Sequence, residues 1–113
     1  MKANELRIGN IVLYSEKQCM VLGIDEDTSI YLGRCGWVAV DDLKPIPLDK
    51  NILLSFGAKM QTKIHYKIED LLLFKYSDKY VVSINLQDIA TVKYLHELQN
   101  LFFALKGEEL KIK

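Results

Sequence analysis

Between Lys59 and Ile68 the sequence alternates with a period of two. Lys59, Gln61, Lys63, His65 and Lys67 fall on one side of an extended strand, and Met60, Thr62, Ile64, Tyr66 and Ile68 on the other. A row of lysines with hydrogen-bonding side chains between them is chemistry for anions, suited to following a phosphate backbone or meeting an acidic protein surface. Lys75 and Lys79 follow in the next hairpin and enlarge the basic set. Lysine on an exposed strand face also keeps a sheet edge from pairing with another chain, so a purely protective role stays open.

Other reactive residues are few. The two histidines, His65 and His96, lie far apart in the chain, and no HxxxH, HxH or CxxC spacing supplies the pair that anchors a metal. His96, with Asn100 four residues on, reads as a surface or boundary histidine of a helix. Cys19 and Cys35 form no CxxC motif and read as small strand residues. The segment Gly33-Arg34-Cys35-Gly36-Trp37 does not match a papain-type cysteine signature. Asp25-Glu26-Asp27 lacks the spaced ligands of a calcium loop and reads as a solvated hairpin tip. GxGxxG, Walker and GxSxG motifs are absent from the sequence. No catalytic residue, metal or cofactor is therefore assigned, and a non-enzymatic binding role is expected.

The charge balance limits what the lysines can do. In 113 residues, 15 Lys plus Arg offset 15 Asp plus Glu. An indiscriminate polyanion binder needs a clear basic excess, because its affinity comes from displacing counterions. The balance is uneven, however. Residues 1–48 carry 5 basic and 7 acidic side chains, a net of −2, and residues 49–113 carry 10 lysines and 8 acids, a net of +2. A selective binder with a local basic face remains compatible with neutrality. A composition of 50% apolar and 27% charged residues is that of a globular chain, long enough to bury roughly 65% of its unfolded surface in one core. No run approaches the roughly 18 uncharged residues of a membrane helix. The charged start, Met1-Lys2-Ala3-Asn4-Glu5-Leu6-Arg7, lacks the apolar region of a signal peptide, so a cytoplasmic protein is expected.

The pattern predicts an α+β fold in one domain over 1–113. Four short strands, Ile11 to Tyr14, Cys19 to Ile24, Ser29 to Leu32 and Trp37 to Val40, are separated by turns and predict a small SH3-like antiparallel barrel over 1–48. Pro45 and Pro47 make the next segment a linker or edge. Asp49 is an expected N-cap for a short helix to Phe56, stopped by Gly57. The basic strand follows. Leu71 to Tyr76 reads as a strand buried on both faces, and Tyr80 to Ile84 pairs back across Ser77-Asp78-Lys79. Leu95, Leu98, Leu101, Phe102 and Leu105 form the apolar stripe of a helix from about Val92 to Lys106 that covers the sheet. Gly107 ends it, and the weakly alternating tail from Glu108 to Lys113 leaves room for an edge strand.

Leu6-Arg7-Ile8-Gly9-Asn10, Asp42-Leu43-Lys44-Pro45-Ile46-Pro47-Leu48, Leu53-Leu54-Ser55-Phe56-Gly57, and Leu95 to Leu105 followed by Gly107-Glu108-Glu109-Leu110 occur together. This combination resembles a group of small proteins encoded by phages and prophages of Bacteroidetes. In size and character the chain is also similar to anti-CRISPR proteins directed against the RNA-guided, RNA-cutting effector of type VI-B systems. The resemblance implies a counter-defence protein of the bacterial host cytoplasm, whose partners are a CRISPR effector protein, its guide RNA or both. It brings no catalytic residues with it, and Lys59 to Ile89 lies outside the matching stretches. Two rival roles remain open: a phage nucleic-acid-associated adaptor using the SH3-like unit and the same lysines, and a structural or assembly protein using Tyr14, Tyr31 and Trp37 at an interface.

Overall fold

The computed structural model describes residues 2–112 and is an α+β chain of antiparallel sheets with a C-terminal helix. Two compact units divide it. The first comprises residues 2–46 with 95–109, and the second 47–94 with 110–112.

In the first unit, β1 (Ile11–Tyr14) pairs with β2 (Lys17–Met20) and with β6 (Leu43–Lys44), while β3 (Gly23–Ile24), β4 (Ser29–Tyr31) and β5 (Trp37–Ala39) make a second three-stranded sheet. Strand β2 starts earlier than expected because Ser15 and Glu16, with φ of 48° and 66°, reverse the chain in two residues. Among the described residues no ladder joins the two sheets into a closed barrel. Val12, Val21, Ile30, Leu32, Val38, Val40 and Leu43 fill the core between them together with Leu6. Cys19 lies in β2, but Cys35 ends a short 3-10 turn, Gly33–Cys35, and is exposed. The strand expectation fails there because Gly33 and Gly36 both take positive φ.

Helix α2 (Leu95–Lys106) belongs to this unit. It starts three residues later than the pattern suggests, since residues 87–92 are used as a strand. Its buried residues are Leu95, His96, Leu98, Gln99 and Phe102, so the buried stripe is rotated from the apolar one and Leu105 is left exposed. The reason is polar. The Gln99 side chain accepts from Ile11 N–H at 2.9 Å and donates to the Gly9 carbonyl at 3.2 Å. Asn100 accepts from Asn10 at 2.8 Å and from Arg7 Nε at 3.2 Å, and donates to the Glu5 carbonyl at 3.0 Å. Arg7 also pairs with Glu109 through both guanidinium ends and lies 4.2 Å over the Phe103 ring. Gly9, at φ 101°, leaves room for this pair, because a Cβ there would stand 3.1 Å from the Glu109 carboxylate. His96 is therefore a buried residue rather than a surface one, with its Nε2 4.0 Å from Glu5.

In the second unit, α1 (Lys50–Ser55) is capped by Asp49, whose carboxylate accepts from Ile52 N–H at 2.8 Å, and Gly57 at φ 88° follows its end. A five-stranded antiparallel sheet follows, in the order β11-β10-β9-β8-β7. Its strands are β7 (Lys59–Met60), β8 (His65–Ile68), β9 (Leu71–Tyr76), β10 (Lys79–Ile84) and β11 (Gln87–Val92). Strand β11 has no counterpart in the sequence reading. Its turn, Asn85-Leu86, carries no glycine although both residues have positive φ, and a bulge at Val82/Ser83 breaks the alternation. The register puts Tyr66, Ile68, Leu71, Leu73, Tyr80, Val82 and Val92 on one face, all buried. Strand β9 is thus buried on one face only, with Leu72 and Phe74 half-exposed on the other. Residues 108–112 form no strand, and the expected edge strand reaches Lys113, which lies outside the described residues.

Two outcomes test the first unit, and Trp37, its sole tryptophan, supplies the fluorescence signal. Replacing Gln99 by Ala strands the Ile11 N–H and the Gly9 carbonyl, and should lower stability to urea by about 1–3 kcal/mol. Burial holds His96 below its ordinary pKa, against the opposing pull of Glu97 and Glu5. The unfolded chain then takes up the proton first, so stability should fall as pH drops below about 6.5, and His96→Gln should flatten that slope.

Candidate anion-binding face

The basic strand is folded back on itself. The Thr62 hydroxyl accepts from the N–H groups of Ile64 at 3.2 Å and His65 at 3.1 Å, and contacts His65 Nδ1 at 2.7 Å. The Gln61 N–H donates to the His65 carbonyl at 2.9 Å. These bonds make a loop of residues 61–64 between β7 and β8, where uninterrupted alternation predicts one straight strand. Thr62 was the signal: in a period-two pattern its hydroxyl counts as core-side, but locally it competes for backbone donors. Met60 and Ile64 consequently stay exposed, and only Tyr66 and Ile68 of the expected core side are buried.

Folding changes which lysines meet. Lys59 now stands directly opposite Lys67, and Met60 opposite Tyr66. Lys59, Gln61 and Lys67 line a groove of about 480 Å³ with Gly57 and Glu69. Lys63 sits in the loop tip, and His65 lies beside the groove on the same sheet face as Lys67. Lys79, opposite Tyr76, shares that face at its far corner. Lys75 does not join them: it lies opposite buried Tyr80 and belongs to the other face. All five lysines are exposed, and none makes an ion pair among the described residues. Lys93, by contrast, is paired to Asp78 at 3.0 Å, which holds that carboxyl below its ordinary range.

Two features outside this face have chemical character. The Cys19 thiol is pushed up by burial and by the nearby Cys35 thiol, an adjacency that spacing in the chain does not reveal. On the β3-β4-β5 sheet, Tyr31 and Trp37 pack at a ring separation of 5.2 Å beside Gly23, and Trp37 is 56% exposed. Among the described residues no three His, Cys, Asp or Glu side chains gather as a metal site, and no helix is long and apolar enough to cross a membrane. No family model, curated protein or solved structure matches the chain.

Like charges directly opposite across a ladder repel. Lys59→Glu should therefore leave the second unit folded and gain up to about 1 kcal/mol in urea unfolding at low salt, an increment that added salt removes. A variant less stable than the parent would contradict the pairing.

Proposed function

We propose that the chain is a non-enzymatic, phage-encoded counter-defence protein that binds an RNA-guided type VI-B CRISPR effector or its guide RNA in the host cytoplasm. The observation that carries the binding reading is the juxtaposition of Lys59 and Lys67, exposed and without ion-pair partners among the described residues, beside a groove. Two like charges held side by side oppose the sheet's own stability, and an anionic partner would relieve that repulsion. A neutral chain with one such face suits selective contact over general coating of RNA. The choice of partner comes from the resemblance. Within the same reading, the two three-stranded sheets of the first unit are taken as a small SH3-like scaffold.

A second reading, a structural or assembly protein, is favoured by one feature, the exposed Trp37 beside Tyr31. It uses a different unit from the lysines, so the two readings separate by mutation.

Co-expression with a type VI-B effector should reduce cleavage of target RNA. Lys59→Glu combined with Lys67→Glu should raise the inhibition constant several-fold, and Trp37→Ala should not. Undiminished cleavage with the protein in stoichiometric excess overturns the proposal. Loss of inhibition on Trp37→Ala alone would move the contact to the first unit.

A further inference from the structure

The lysine-bearing face of the five-stranded sheet also carries aromatic rings. His65 lies opposite Phe74, with ring centroids 5.0 Å apart and planes tilted by 56°. Tyr76 follows Phe74 two residues along β9, on the same face, and is 63% exposed. Lys67 is next to Leu72 at one end of this row, and Lys79 is opposite Tyr76 at the other. From strand spacing and rise, the two lysines bracket the rings over a diagonal on the order of 16 Å.

We infer that this face binds single-stranded RNA, with bases stacking on Phe74, Tyr76 and His65 and phosphates held by Lys59, Lys67 and Lys79. The inference deepens the reading above by naming the ligand of the same face. Rings interleaved with cations are what a single strand needs, since each base offers a stacking surface and each phosphate a charge. A duplex has its bases already stacked on one another and presents no free surface to these rings. The His65 ring contributes polarity as well. Its Nδ1 is engaged by Thr62, which leaves Nε2 for a base edge.

The negative groups on the face separate RNA from DNA. Glu69 shares the groove with Lys59 and Lys67. Ser83, opposite Leu72, donates to the Asp88 carboxylate at 2.5 Å. A carboxylate there repels phosphate but accepts a hydrogen bond from a 2′-hydroxyl, a donor that DNA lacks.

Fluorescence anisotropy with labelled oligouridine and oligoadenosine, the matching DNA oligomers, an RNA duplex and polyglutamate tests this on the full chain. Single-stranded RNA should bind more tightly than DNA or duplex. Tyr76→Ala and Phe74→Leu should each weaken it roughly 5- to 100-fold without changing the salt dependence. Lys59→Gln with Lys67→Gln should lower the slope of log affinity against log salt by about 1.4. Equal affinity for duplex, preference for polyglutamate, or wild-type affinity in Tyr76→Ala, whose exposed side chain has little to do with folding, would overturn the inference. Inhibition of the effector without RNA binding overturns this inference alone. RNA binding without inhibition leaves it standing and removes the counter-defence reading.

Discussion

The first unit depends on a polar clasp between residues about 90 positions apart. Asn10 and Gln99 are almost completely buried, and the Asn10 amide NH2 and both ends of the Gln99 amide find their partners at the other end of the chain. An unmade hydrogen bond at such a site costs about 1–3 kcal/mol, more than a made one contributes, so the network is all-or-none in character. Arg7 and Glu109 close its outer side, and Gly9 is the residue that lets the loop come near enough. The amino-terminal loop and α2 thus complete one unit, and the chain from 47 to 94 builds the second between them in sequence.

This clasp joins the two ends of the sequence. Arg7, Gly9 and Asn10 lie near the start of the chain, and Gln99, Asn100, Phe103 and Glu109 near its end. They are partners in a single arrangement of hydrogen bonds, an ion pair and a cation over a ring. In the second unit, one sheet face is buried and apolar and the other carries lysines and rings.

Much of the element order was legible. Strands β1, β4, β5, β9 and β10, the Asp49 cap and the glycine stops all carry local signals that act within a few residues. The candidate site was legible in composition but not in arrangement. The alternation from Lys59 to Ile68 is real in the sequence, yet Thr62 turns it into a hairpin, so Lys59 and Lys67 become neighbours instead of the ends of a row. Phe74 and Tyr76 were hidden by their apolar neighbours, because a run such as Leu71-Leu72-Leu73-Phe74 does not show which side faces out.

By itself, the sequence determined the fold class, the local stops and caps, and the fact that any basic face must be small in a neutral chain. These follow from side-chain geometry, backbone preference and charge arithmetic, which act over short range. Tertiary structure decided which lysines meet, that Lys75 faces away from them, that His96 and Gln99 are buried, and that Cys19 and Cys35 are adjacent. Each depends on register or on contacts between distant segments, and a one-residue change of register moves a side chain to the opposite face of a sheet.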